Sequence, residues 1–158
     1  MKILLNFEEI LWYMFSKSCE YGLRASLFIA EQSLQGNKVG LKDIAESIDS
    51  PMAFTAKILQ ALTKNNLVNV VKGPYGGFYI EKEALRNNPI REIVDLFDGD
   101  KIYTGCALGL KQCNETKPCP LHHQFKQIRT DLSELLEKNT LMDLLSEENQ
   151  TKKLWLKL

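Results

Sequence analysis

The sequence lacks an excess of charge of either sign. Its 20 lysine and arginine residues balance 20 aspartate and glutamate residues, so the formal net charge at pH 7 is zero. A protein that binds nucleic acid through a bulk basic field needs a large positive surplus, and that class is excluded. Any contact with DNA must come from local clusters of basic side chains. The remaining composition, 44% hydrophobic and 25% charged over 158 residues, is typical of one globular domain with a small appendage.

Long hydrophobic runs are also missing. The longest, from Ile10 to Phe15, is far shorter than the roughly 18 residues that a membrane-spanning helix needs. The first residues, Met1 to Leu5, are soon followed by Glu8 and Glu9, a pattern that is not typical of a secretory signal. We therefore expect a cytoplasmic protein with no membrane partner.

Patterns that carry catalysis are absent as well. We find no nucleophile with a matching base and orienting residue. The glycine-rich segment Gly73–Gly77 lacks the lysine and the serine or threonine that complete a phosphate-binding P-loop. The sequence therefore predicts a protein that is not an enzyme.

Apolar residues recur at helical spacing in several segments of the chain, for example at Leu23, Leu27 and Phe28. The predicted helices are 16–34, 41–48, 51–65, 89–97 and 121–138. The hydroxyl of Ser50 can cap the third helix, with Pro51 at its first helical position. The second and third helices, joined by a tight turn, are typical of a helix-turn-helix, whose second helix can lie in a DNA major groove.

A hairpin follows the helix-turn-helix. Val68, Val70, Phe78 and Ile80 alternate around Gly73–Gly77, which predicts two strands and a glycine-rich tip, that is, a wing. The fold class is therefore mainly α with a small β-hairpin wing: a winged helix-turn-helix plus a long dimerisation helix. The predicted parts are an N-terminal extension (1–13), a DNA-binding domain (14–82), a connecting helix (83–103), a cysteine cluster loop (104–120), a dimerisation helix (121–146) and a tail (147–158).

Candidate contacts with double-stranded DNA lie on the third helix and the wing. Lys57 and Thr55 are expected on exposed early turns, where Lys57 can reach a guanine edge or a phosphate. Ala53 or Phe54 can touch a thymine methyl group, and Gly76 lets the hairpin backbone approach the sugar-phosphate chain. The full set is Ala53, Phe54, Thr55, Lys57, Gln60, Lys72, Tyr75 and Gly76.

The last predicted helix carries a narrow apolar seam. Leu121, Phe125, Ile128, Leu132 and Leu135 follow one another at steps of three and four residues, the spacing of helices that pack side by side. The seam can pack against its own domain or form a homodimer interface. Because helix-turn-helix proteins commonly bind half-sites as two-fold dimers, we favour the homodimer.

Three of the four cysteines, Cys106, Cys113 and Cys119, lie in one loop. Thiolates bind soft metals, but gaps of six and five residues fit neither the close cysteine pairs of a zinc ribbon nor the tight run of a bacterial ferredoxin. Such gaps can wrap an iron-sulfur cluster. A zinc site, a metal-free redox switch and three unrelated cysteines remain open. The remaining one, Cys19, is expected to be a small packing residue.

Three thiolates leave one ligand position to be filled. His122 and His123 follow Cys119 closely and can supply a nitrogen. Glu20 is the other candidate, although the dipole of the first helix also favours a carboxylate at that end for purely structural reasons.

Four stretches of this chain together resemble the Rrf-type winged-helix regulators, the group of IscR, NsrR and CymR. They are Ser16-Lys17 with Tyr21-Gly22-Leu23-Arg24-Ala25, then residues 64–68, residues 71–78 and the three-cysteine loop. The resemblance covers residues 14 to about 146. It implies a homodimeric bacterial transcription factor, most simply a repressor, that binds an operator and holds a 2Fe-2S or 4Fe-4S cluster on Cys106, Cys113 and Cys119.

The resemblance also bears on the fourth ligand. IscR-like members use a histidine three residues after the third cysteine, which matches His122, whereas redox-sensing members use an acidic residue of the first helix donated across the dimer, which matches Glu20. Cluster-free CymR-like members lack the cysteine triplet. The first cysteine gap is one residue longer here than is usual, and Pro51, Ala53, Phe54 and Lys57 replace hydroxyl and amide side chains. The competing hypothesis is a zinc or thiol redox protein without cluster-dependent DNA binding.

Overall fold

The computed structural model describes residues 14–111 and 114–146, together with Leu156. The predicted N-terminal extension and, apart from Leu156, the tail lie outside the described residues. In chain order the elements are α1 (Lys17–Leu34), α2 (Leu41–Ser47), α3 (Met52–Lys64), β1 (Asn69–Val71), β2 (Gly77–Tyr79), α4 (Lys82–Asn87), α5 (Arg91–Asp98), α6 (Lys101–Thr104), α7 (His122–Lys138) and α8 (Leu141–Leu144). The predicted mainly helical class with a small hairpin is confirmed.

Helix α1 is the central element, and it contacts α2, α3, β2, α5 and α8. Its start is fixed by Ser16, whose Oγ accepts a hydrogen bond from the Cys19 amide at 3.2 Å. The fully buried face consists mostly of small residues, which let neighbouring helices approach closely. These are Cys19, Gly22, Ala25, Ser26, Ile29 and Ala30. Leu23 and Leu27, whose spacing predicts the helix, are only half-buried because they lie beside that face.

The helix-turn-helix is formed by α2 and α3, as predicted. The turn between them contains Asp49 with a positive φ of 51°, which reverses the chain. The expected cap is wrong: Ser50 does not cap α3, and Pro51 precedes the helix instead of being its first residue. The reason is that Pro51 is extended, with ψ 136°, and its carbonyl accepts the amide hydrogens of Phe54 and Thr55.

The wing is an antiparallel pair of strands in the predicted position. The register pairs Val70 with Phe78, and Val68 and Ile80 at the base of the hairpin are buried. Val39, which precedes α2, bonds in both directions with Phe78, at 3.1 and 2.8 Å. Backbone hydrogen bonds of Val39 therefore connect the wing to the helix-turn-helix.

The region after the wing contains more helices than expected. Residues 83–103, predicted as one connecting helix, hold most of α4, all of α5 and most of α6, which ends at Thr104. Helix α8 follows α7 within the predicted dimerisation segment and packs against α4. Its start is a capping box, in which the Asp143 amide bonds Thr140 Oγ1 and the Thr140 amide bonds Asp143 Oδ2. Helices of four to six residues are too short to show a periodic pattern.

We expect Gly22→Ala to lower the free energy of unfolding. An added Cβ would lie 2.3 Å from Cε2 of Phe97 on α5. Overpacking of this kind costs about 1–3 kcal/mol, which exceeds or matches the gain of about 1 kcal/mol from the better helix propensity of alanine. Denaturant unfolding of the variant measures the difference. Pairing Gly22→Ala with Phe97→Leu should recover stability, and a lone Gly22→Ala variant as stable as the parent would contradict this account.

Candidate functional site

Helix α3 presents one polar face to solvent. Ala53, Lys57 and Gln60 are exposed along one side at steps of four and three residues. The opposite side is buried in the core, through residues that include Ile58 and Leu62. The exposed side is the part of α3 that is free to enter a DNA groove.

Of the predicted DNA contacts on α3, Thr55 lies on the buried side and Phe54 is only partly exposed. Thr55 is 0% exposed, and its hydroxyl donates to the Pro51 carbonyl at 3.1 Å, so the expectation of an exposed Thr55 is wrong. The helical period places it on the same side as Ile58 and Leu62. Phe54 is half-buried, with its ring packed edge-on against Tyr21 of α1 at a centroid distance of 5.3 Å. Phe54 therefore helps to seat α3 on α1.

Arg24 on α1 contacts the helix-turn-helix on the side away from the exposed face of α3. Its guanidinium lies 4.2 Å from the centroid of the Tyr21 ring, and Nη1 donates to the Ile48 carbonyl at the end of α2. The same Nη1 donates to the carbonyl of Leu156 near the chain end. Tyr21 and Arg24 belong to the family motif at the start of α1, and that motif is the sequence signal from which their role could be predicted.

The wing tip is closed by glycines. Gly76 donates its amide hydrogen to the Gly73 carbonyl at 3.0 Å, and a Cβ on Gly76 would lie 2.0 Å from the Val71 carbonyl oxygen. Glycine at 76 is thus required by the hairpin itself. Lys72 is exposed, and Tyr75 at the tip is 94% exposed, so both are available to a partner.

Two of the three loop cysteines lie together. The Sγ atoms of Cys106 and Cys119 are 3.9 Å apart, and both residues are half-buried. Hydrogen bonds from the amides of Leu108 and Leu110 lower the pKa of the Cys106 thiol, with smaller contributions from Cys119 and Arg129. These interactions favour a thiolate, the form that binds metals.

The cysteine pair has the separation of two ligands to a single metal ion. Two thiolates bound at roughly 2.3 Å to one tetrahedral metal lie about 3.8 Å apart, which is close to the separation found here. Cys113 lies outside the described residues. Within the described ranges, no group of three cysteine, histidine or acidic side chains forms a ready metal site. The pair therefore supplies half of a tetrahedral set.

The two candidates for the fourth ligand occupy different places. His122 is the first residue of α7 and is 3% exposed; its amide donates to the Cys119 carbonyl at 3.0 Å. Glu20 lies in the first turn of α1 and pairs with Lys17 at 2.9 Å. His123 is exposed, and its ring contacts that of His122.

Cys19 has the environment of a structural thiol. It is 0% exposed, and burial together with the nearby Asp98 carboxylate raises its pKa to about 12. The thiol is therefore neutral at physiological pH. This agrees with the interpretation of Cys19 as a packing residue.

The apolar seam of α7 is largely open to solvent. Leu121, Phe125, Ile128 and Leu135 are exposed, with Ile128 at 56%, whereas Leu132 is half-buried. Among residues 14–111 and 114–146, no group covers the seam along most of its length. None of the helices in the described part of the chain is long and apolar enough to cross a membrane.

Comparison with known proteins identifies the family. The Rrf2 model, described as an iron-dependent transcriptional regulator, matches residues 15–147. A protein of Aquifex aeolicus assigned as an HTH-type transcriptional regulator is 30% identical over 139 residues, which cover 87% of this chain and 94% of that protein. The chain belongs to the Rrf2 family.

Further relatives agree with that assignment. The regulator NsrR of Oceanobacillus iheyensis is 28% identical over 135 residues, covering 85% of this chain and 90% of NsrR. The solved structure of CymR, the global cysteine regulator of B. subtilis, matches with a TM-score of 0.66 at 20% identity, over 88% of this chain and 98% of CymR, which shows the shared winged-helix fold. This Rrf2 chain is a DNA-binding transcriptional regulator and not an enzyme.

Proposed function

We propose that this Rrf2 regulator works as a homodimer whose affinity for operator DNA depends on an iron-sulfur cluster. The observation that carries the proposal is the Cys106 and Cys119 pair, with Sγ atoms 3.9 Å apart and a lowered pKa at Cys106. Cys113 would be the third ligand, and His122 or Glu20 the fourth. A bound cluster would supply a centre that reacts with oxygen or nitric oxide and so reports redox or iron-sulfur status.

The proposed DNA surface consists of the exposed side of α3 and the wing. Ala53, Lys57 and Gln60 supply the groove contacts, with Lys72, Tyr75 and Gly76 at the wing. Phe54 contributes through the placement of α3, and Thr55 is no longer part of the surface. Because the whole chain has no net charge, these few contacts must provide the affinity for DNA and also fix the position of the protein along the duplex.

The proposed dimer forms through the seam of α7. Exposed leucine, isoleucine and phenylalanine side chains in one row are typical of an interaction surface. A second copy fits this row because heptad spacing makes such a helix complementary to itself. A two-fold pair would also present two α3 helices to the two halves of one operator.

Lys57→Ala and Lys72→Ala should each weaken binding to a duplex enriched by selection on the protein itself. Each lost phosphate contact should also reduce the slope of log affinity against log salt by about 0.9. Fluorescence anisotropy at several salt concentrations measures both effects. Arg86→Ala, which removes an exposed positive charge from α4 outside the predicted DNA-binding domain, serves as the control. Parental affinity and slope in both lysine variants would reject this DNA surface.

Ile128→Glu should convert the dimer to a monomer, because it places a charge in the middle of an apolar interface. Sedimentation velocity of the parent and the variant gives the mass of each. Thr130→Glu adds the same charge to another exposed position of α7 and should leave the dimer intact. An Ile128→Glu variant that sediments with the parental mass would contradict the proposed interface.

Cys106→Ser should abolish the cluster, whereas Cys19→Ser should retain it, since Cys19 is buried among packing residues. Visible absorption and iron analysis of protein purified without oxygen provide the measurement. Glu20→Ala and His122→Ala are compared by the rate at which each loses its cluster in oxygen. The residue whose replacement gives the faster loss is the fourth ligand. Colourless parental protein with equimolar zinc would overturn the cluster in favour of a zinc site.

A further inference from the structure

Arg91, the first residue of α5, joins three helices. Its Nε donates to Asp95 one turn later at 3.3 Å, and its Nη1 donates to Ser133 and Glu137 of α7 at 2.9 and 2.7 Å. The face of the same guanidinium covers the ring of Tyr103 on α6, 4.4 Å from the ring centroid. The planar fork of an arginine can serve all of these partners at once, whereas the single ammonium of a lysine cannot.

The partners of Arg91 flank the cysteine loop on both sides. Tyr103 lies three residues before Cys106, and α7 begins three residues after Cys119. The loop is also tied directly to α7, since Arg129 donates to the Gly105 carbonyl at 2.6 Å and Lys126 pairs with Glu115. A change in the loop that moves α6 relative to α7 must therefore change the contacts of Arg91.

The opposite side of α5 connects to the DNA-binding elements. Phe97 packs against Gly22 in the middle of α1, and Asp98 accepts a hydrogen bond from the Ser16 amide at the start of α1. Helix α1 in turn seats α3 through the contact of Tyr21 with Phe54. A continuous set of packed groups thus runs from the ends of the cysteine loop to the proposed recognition helix.

We propose that Arg91 is the positioning residue that couples the state of the cysteine loop to the DNA-binding elements. This inference rests on the proposed function, since it assigns the regulation of that same site. The side chain is 27% exposed and Glu137 is 63% exposed, so this ion pair is weak on its own and open to rearrangement. In this proposal the contacts of Arg91 have two arrangements, one for each state of the cysteine loop, and each arrangement corresponds to one conformation of the DNA-binding elements.

The test compares DNA affinity before and after cluster assembly. Parent, Arg91→Ala, Arg91→Lys and Arg86→Ala are each stripped with a chelator or reconstituted anaerobically with ferrous iron and sulfide. The duplex selected on the parent is titrated against each form. We expect the affinity ratio of the two forms to be about 5-fold or more in the parent. It should fall close to 1 in Arg91→Ala with unchanged iron content, and Arg91→Lys should regain part of it.

Hydrogen exchange of the stripped proteins supplies a readout that needs no cluster. Amides of α6 and α7 should exchange faster in Arg91→Ala than in the parent, and at the parental rate in Arg86→Ala, an exposed arginine of α4. Should Arg91→Ala fail to fold, Glu137→Gln must show the same loss of the affinity ratio.

Several results would overturn the proposal. An Arg91→Ala variant with the parental ratio, or with parental exchange in α6 and α7, removes the coupling role while leaving the proposed function intact. An Arg91→Ala variant that no longer holds iron shows a role in assembly instead of coupling. A parental ratio of 1 rejects cluster-dependent DNA binding itself, and the coupling with it.

Discussion

The close approach of α1 and α5 is the packing constraint on which the rest of the structure depends. It is possible because α1 carries Gly22 where the ring of Phe97 arrives, and small side chains such as Ala25 on either side. With larger residues there, α1 could not contact the helix-turn-helix, the wing and α5 together. The same contact therefore fixes the frame of the DNA-binding elements and the position of α5, from which α6 and the cysteine loop continue.

The cysteine loop differs from this packed frame. Its described residues are mostly exposed, and the contacts that hold it come from polar groups such as Arg129 and the two thiols. A segment with few buried apolar contacts has a low local stability. A ligand that binds Cys106 and Cys119 can therefore contribute a large part of the order of the loop. Under the proposed function, binding of a ligand in such a segment would turn a small chemical change into a larger structural one.

Much of the fold could be predicted from the sequence because its longer elements show clear periods. The helix-turn-helix, the hairpin, α5 and α7 follow from the spacing of apolar residues and from glycine and proline positions. The short helices α4, α6 and α8 show no periodic pattern, and only the capping pair of Thr140 and Asp143 signals α8 in the sequence. The polarity of Thr55 suggests an exposed position, whereas the helical period places it inside. The spatial pairing of Cys106 with Cys119 depends on tertiary structure, which spacing alone does not determine.

Under the proposed function, the choice of fourth ligand would decide whether sensing and dimerisation are one process. A cluster completed by His122 could use residues of a single chain, because His122 lies three residues after Cys119. A cluster completed by Glu20 across the interface needs two chains, and the carboxylate must first leave its ion pair with Lys17. In the second case every bound cluster would stabilise the dimer by mass action, and loss of the cluster would weaken it. Only a dimer presents two α3 helices to an operator. The fourth ligand would then control DNA binding through dimer formation as well as through the conformation of each protomer.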